Sequence, residues 1–282
     1  MKQFILNLSC TDICGIVADV ASLLAANNLN ITESSQFSDP DSGQFFMRTA
    51  FENPQPITHA QFAKIFQPVA EKFSMNWQFY DAASAPRVLI LVSKFDHCLT
   101  DLLYRVRVGS LKMQIVGVVS NHEIARPMVE DAKLPYYYWA GGRTAQAENE
   151  AKLTALIEKE KIDLIVLARY MQVLSDKMVA RFESRIINIH HSFLPSFKGA
   201  APYSQAHKRG VKMIGASAHF VTPELDEGPI ITQQVADIRH DMSVDNLSDV
   251  GRDIEQRTLA KAVRLYIERR ILLNGEKTII FD

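Results

Sequence analysis

Cysteine is scarce: Cys10, Cys14 and Cys98 are the only three in a chain of 282 residues. An odd, sparse set gives no disulfide framework, and no second pair or nearby histidine group completes a zinc site around Cys10 and Cys14. A surplus of one charge is also lacking. Lys plus Arg is 31 against 32 for Asp plus Glu, a formal charge of -1. That balance counts against nucleic-acid binding, because neutralising phosphates takes a clustered basic surplus. Apolar runs such as residues 88–92 fall far short of the roughly 20 residues that span a bilayer. The start, Met1-Lys2-Gln3-Phe4, lacks the apolar core of a signal peptide. Internal repeats and low-complexity tracts are absent too. The expectation is a cytoplasmic, reduced, soluble protein with neither a membrane nor a nucleic-acid partner. What the chain does have is 47% hydrophobic and 22% charged residues, suited to a globular protein of one large domain or two ordinary ones.

The first 80 residues read as a small unit. Phe4, Leu6 and Leu8 alternate as in a strand with one buried face. From Gly15, the run Ile16, Val17, Val20, Leu23, Leu24 has helical spacing and stops at Asn27-Asn28. Residues 31–37 and 44–51 flank the turn Asp39-Pro40-Asp41-Ser42-Gly43, which predicts a hairpin. A helix over 57–73 and a short strand at 77–80 complete βαββαβ, the ferredoxin-like order. Residues 82–86 read as a linker. From 87 to 282 the pattern is α/β: short strands apolar on both faces (88–92, 115–119, 164–167, 186–189, 216–221, 230–235) alternate with helices, as in a Rossmann-like, mostly parallel sheet. A one-face stripe from Val244 through Ile267 to Ile271 predicts a long closing helix.

Ligands of such a sheet sit beyond the carboxyl ends of its strands. Alternation puts Asn188 and His190 on one side of the strand leaving 186–189, and Leu194-Pro195-Ser196-Phe197-Lys198-Gly199 follows as a loop. Leu225-Asp226-Glu227-Gly228-Pro229 is the next polar group. Asn, His and Asp at one sheet edge can activate water and hold an oxyanion. Taken alone, these residues read equally well as strand-end caps and an ordinary turn. A one-residue register error would exchange His190 for His191.

Asn188-Ile189-His190 with Leu194-Pro195, then His219-Phe220-Val221-Thr222, then Glu224-Leu225-Asp226-Glu227-Gly228-Pro229-Ile230, resembles the folate-dependent formyltransferase superfamily. The segment from Leu167 through Arg169, Met171, Gln172, Val173 and Leu174 to Ser175 resembles its folate pocket. Ser93-Lys94-Phe95-Asp96-His97-Cys98, Ser120-Asn121-His122 and the doubled His190-His191 are similar to its deformylase branch, hydrolases that split 10-formyltetrahydrofolate into formate and tetrahydrofolate. Residues 1–81 are similar to an ACT domain, a module that often binds amino acids and pairs with copies of itself. The resemblance implies formyl hydrolysis, with a role in one-carbon folate balance and in formate supply for purine synthesis. Asp226 would activate water, while His190 and Asn188 would stabilise the oxyanion. Folate would lie against Met171, Gln172, Val173 and Leu174, closed in by Val179, His219, Val221, Thr222 and Leu225. His97 and His122 are further candidates for the site. The substrate is then the only small molecule required; no metal or redox cofactor is implied. A homo-oligomer paired through the ACT module is expected, with an amino-acid effector site at Asp12 and Gly15.

A transferase to glycinamide ribonucleotide would need a phosphate-holding turn after the first strand. Ser93-Lys94-Phe95-Asp96-His97-Cys98 has no glycine there, and it puts a bulky ring and an anion in the way. A formyl-tRNA enzyme would be expected to carry a nucleic-acid-binding module after the long helix. Partial burial is expected to raise the basicity of Asp226 above that of an exposed Asp, whose pKa is near ~3.9. Three departures stand out. Gln172 occupies a position where the ribonucleotide transferases commonly have an arginine for the folate tail, with Arg169 as a substitute contact. Thr11, Ile13 and Cys14 replace the prolines and arginine usual before the ACT helix, which counts against amino-acid regulation, although Asp12 suits a helix cap. Tyr138-Trp139-Ala140-Gly141-Gly142 also differs from the family pattern. Two rivals remain: a folate-dependent formyltransferase with a small amine acceptor, and an inactive folate- or amino-acid-sensing regulator.

Overall fold

The alternation of Phe4, Leu6 and Leu8 does build a strand, β1 (Lys2–Thr11), in the computed structural model, which describes residues 1–195 and 202–282. It is followed by α1 (Ile16–Ala26), β2 (Asn30–Asp39), β3 (Gln44–Asn53), α2 (His59–Lys72) and β4 (Asn76–Asp81), the expected βαββαβ order. The strands form an antiparallel sheet in the order β2-β3-β1-β4. One face carries Phe4, Leu6 and Leu8 against a cluster of stacked rings, with Phe62 and Phe79 centroids 4.4 Å apart. A capping box between Thr58 and Gln61 opens α2. At α1 the cap is Gly15 with no side-chain bond, so Asp12 does not cap the helix as expected; its backbone N–H donates to Gly43 O at 2.9 Å.

The second unit, Pro86–Ile267, is doubly wound. Its elements are β5 (Arg87–Val92), α3 (His97–Arg107), β6 (Gln114–Ser120), α4 (Arg126–Asp131), β7 (Tyr136–Tyr138), α5 (Gln146–Lys159), β8 (Leu164–Leu167), α6 (Asp176–Arg181), β9 (Ile186–His190), α7 (Pro202–Arg209), β10 (Met213–Phe220), β11 (Ile230–Asp237) and α8 (Val244–Ile267). The sheet order is β11-β10-β9-β8-β5-β6-β7, parallel from β9 to β7 and antiparallel at β10 and β11. The central strand β5 is buried on both faces, which is why residues 88–92 are apolar without alternation. The chain leaves β5 first towards β6 and later returns to β8 on its other side. That reversal opens a crevice at the carboxyl ends, where a ligand fits. Residues 196–199 of the expected loop lie outside the described residues.

The apolar stripe of α8 does not continue into one helix to residue 271. The helix ends at Ile267, Arg269 turns at φ 58°, and Ile271 begins a hairpin of β12 (Ile271–Asn274) and β13 (Lys277–Ile280). Glu268–Asp282 belong with Met1–Ala85 rather than with the second unit, where the sequence expectation put them. The sheet face of Asn7 and Arg48 receives this segment: Asn7 Nδ2 donates to Arg269 O at 2.9 Å, and Arg48 donates to Arg269 O and Glu268 O at 3.2 and 3.1 Å. Both faces of β1 are therefore covered, including Ile5 and Asn7, where alternation predicts one.

Candidate active site

Period two along β9 sends Asn188 and His190 to the same side, and the β10–β11 connection brings Asp226 back over them. A Cβ on Gly228 would fall 1.9 Å from Phe220 O, so glycine is what lets this connection fold back so tightly. His190 Nδ1 lies 3.1 Å from Asp226 Oδ2, and Asn188 Nδ2 donates to Asp226 Oδ1 at 3.5 Å. His219 at the end of β10 joins them: its Nδ1 donates to Phe220 O at 2.8 Å, which leaves Nε2 facing Asn188 Nδ2 at 3.3 Å and Asp226 Oδ1 at 3.6 Å. His190 Nε2 is buried without a hydrogen-bond partner among the described residues. Asp226 sits at φ 58°, a backbone conformation that non-glycine residues rarely adopt and that clusters at functional sites.

Burial alone would raise the pKa of Asp226, as expected from the sequence. The hydrogen bonds and charges of His190 and His219 outweigh it and hold the carboxyl well below the usual carboxylate range. The expected gain in basicity is therefore reversed. His191 is also lowered, to about 4, by burial first and then by the Arg169 guanidinium and the His190 ring.

These groups line a cavity of about 640 Å³, within the range of small-molecule sites. Met171, Gln172, Val173, Leu174, His219, Val221, Thr222 and Leu225 all line it. Met171, Val173 and Leu225 are 56%, 65% and 67% exposed, although apolar character alone would place them in a core. Val179 does not line the cavity; it is buried on α6. The Met171 segment is fastened from behind. Ser93 Oγ accepts from Met171 N at 2.9 Å, Gln146 Nε2 donates to Val173 O at 3.0 Å, and Glu150 accepts from Ser175 N and Oγ at 2.7 and 2.5 Å. Gln172 accepts from Gly142 N at 3.4 Å. His97 and His191 line the cavity; His122 does not. Asp12 and Gly15 lie in the first unit, Asp12 exposed.

Sequence reasoning missed Glu255 and Tyr203. Glu255, only 1% exposed on α8, lies 2.8 Å from His97 Nε2 and 3.4 Å from Arg169 Nε, and accepts from Tyr203 OH at 2.5 Å. Burial would raise its pKa, but His97, Arg169 and Tyr203 keep it lowered. Arg169 is therefore ion-paired with Glu255 through Nε while also lining the cavity. The available signal was a charge on the buried face of a helix, four residues from Gly251 and four from Leu259. Among the described residues His97, Cys98 and Glu255 could offer a metal three ligand atoms within 4.8 Å. The Arg169 guanidinium occupies the same carboxylate, and burial pushes the Cys98 thiol well up, so the donor set suits an ion-pair cluster better than a cation.

The formyl transferase family pattern matches residues 86–263, and the ACT domain pattern matches residues 4–60. A formyltetrahydrofolate deformylase of Bacillus subtilis is 44% identical over 281 residues, covering 98% of this chain and 92% of the relative. The crystal structure of a formyltetrahydrofolate deformylase from Burkholderia mallei superposes with a TM-score of 0.95 at 48% identity, covering 100% of both chains. One from Pseudomonas syringae gives 0.97 at 44% identity, covering 100% of this chain and 95% of that one.

Proposed function

The chain belongs to the formyl transferase family, as an enzyme of its formyltetrahydrofolate deformylase group, and from that premise we propose that it hydrolyses 10-formyltetrahydrofolate with Asn188, His190 and Asp226 at the reacting centre. The observation that carries the residue assignment is their meeting within 3.1–3.5 Å on the wall of one cavity at the carboxyl edge of the sheet. The pterin lies against the Met171–Leu174 stretch, whose exposed apolar side chains suit an aromatic ligand.

Water adds to the formyl carbon, and its proton passes to Asp226. Asp226 hands that proton on to N10 when the C–N bond breaks. His190 donates through Nε2 to the formyl oxygen as it gains charge, its other nitrogen being held by Asp226. Asn188 supplies a neutral donor to the same oxygen or to the leaving N10. Formate and tetrahydrofolate result, and no cofactor beyond the folate substrate enters. The reading extends to one-carbon balance, to formate supply for purine synthesis and to pairing of copies through the ACT module.

The test is formate release from 10-formyltetrahydrofolate with no acceptor present; a requirement for an amine would sink the hydrolase reading. Asp226→Asn should bind folate nearly as well as the native enzyme and lose about a hundred- to ten-thousand-fold in kcat. Unchanged turnover in that variant would take Asp226 out of the mechanism.

A further inference from the structure

Beyond His190 the cavity wall continues through side chains that hydrolysis itself does not use. The His190 and His191 ring centroids are 5.1 Å apart, and the Tyr203 ring stands edge-on 6.3 Å beyond. Tyr203 OH donates to one oxygen of Glu255, while His97 and Arg169 take the other. These four side chains come from α7, α8, α3 and the stretch after β8, so their convergence is tertiary rather than local. Tyr203 is laid directly on the backbone of α8: a Cβ on Gly251 would lie 2.2 Å from its ring and hydroxyl.

Resting on the deformylase reading, we propose that the Tyr203–Glu255–His97–Arg169 network is an acceptor gate, filling the side of the cavity from which an amine would reach the formyl carbon. Asp226 serves as proton relay for water or amine alike, so the choice between them must be made by space and by orienting groups. Water needs about 30 Å³ and is held by Asp226 and Asn188. An amine carrying a substituent needs several times that space, and a second hydrogen-bond acceptor to aim its lone pair. Glu255 is the one carboxylate besides Asp226 among the described residues lining the cavity, and both of its oxygens are engaged. With the gate in place an amine has neither the room nor the acceptor. Once the gate opens, the amine nitrogen adds to the formyl carbon and the C–N10 bond breaks with its electron pair going to N10. The amine's proton moves to N10 through Asp226, giving the N-formyl amine and tetrahydrofolate.

The experiment supplies 10-formyltetrahydrofolate and methoxyamine, which is unprotonated at neutral pH, to the native enzyme and to Gly251→Ala and Tyr203→Ala. Formate and N-formyl methoxyamine are quantified against tetrahydrofolate. Gly251→Ala pushes the tyrosine ring aside with a residue that favours the helix, so it isolates displacement of the ring from loss of fold. The native enzyme should give formate alone at every amine concentration, and both variants should raise the formyl-amine share at least about tenfold. An unchanged share in variants that still hydrolyse, or transfer by the native enzyme, overturns the gate. Because the share is a ratio, it can be read at low residual turnover. A Gly251→Ala enzyme that folds and binds folate but turns over nothing also overturns it, since the network would then serve hydrolysis. If the native enzyme releases no formate without an acceptor, the deformylase reading fails instead.

Discussion

At His191, burial, the Arg169 guanidinium and the His190 ring all disfavour the imidazolium, and the pKa falls to about 4. In the unfolded chain a histidine titrates near ~6.5. Between these values the unfolded state binds more protons, so stability falls as the pH drops from about 6.5 towards 4. Asp226 also has a lowered pKa, and its contribution is present above the unfolded value near ~3.9 and lost below it. The two windows are separate. His191→Asn should therefore flatten the loss of urea midpoint between about pH 6.5 and 4 while leaving the steeper fall at lower pH. An unaltered midpoint profile in that variant would show that other groups carry the acid sensitivity. The same residue bears on how far the site could be read: from the sequence, His190 and His191 were interchangeable by one register step, and β9 resolves them. His190 faces Asp226, while His191 faces Tyr203.

Among the elements, strands were legible wherever burial imposed a pattern. β8 and residues 88–92 of β5 are apolar without a break because both faces are covered, and β1 to β4 followed from alternation and turn chemistry. The short helices α4, α6 and α7 were not read, since a turn or two of chain carries too little periodicity. α8 was read four residues too long, because Ile271 fits the helical stripe and the turn at Arg269 has no glycine or proline to announce it. Glu255 was passed over because a search for apolar spacing steps across a charge. Val179 was placed at the ligand and is instead the buried anchor of α6. Alternation and turn composition picked out Asn188 and Asp226 as candidates, but only the family resemblance gave them roles, since their meeting depends on β9 and β10 pairing across the sheet. The element between α5 and α6 has its own testable consequence. Glu150 fixes the Met171 segment through Ser175, so Glu150→Gln, which weakens a charged acceptor, should raise the folate KM several-fold, roughly 1 kcal/mol, with kcat little changed. An effect confined to kcat would mean that the segment does not bind folate.

For the whole molecule, the division is discontinuous: the leading unit is finished by Glu268–Asp282, after the chain has built the entire second unit. Arg48 fastens the two pieces of that unit. Its side chain is 4% exposed, pairs with Glu33 at 2.9 Å and donates to the carbonyls of Glu268 and Arg269. Glu33 is partly exposed, so the ion pair itself is discounted and the bonds to the carbonyls dominate. Arg48→Met, which keeps the apolar stem, should destabilise this unit by about 2 kcal/mol in urea unfolding and lower hydrogen-exchange protection in β1 and β3. Native protection there would mean that the closing segment is held by other contacts. A ribosome making this polypeptide releases the leading sheet long before the strap that covers its second face, so the sheet must wait half-dressed while everything between is synthesised. A premature stop codon far downstream would then register at the opposite end of the product, as a naked β-surface open to proteases and chaperones.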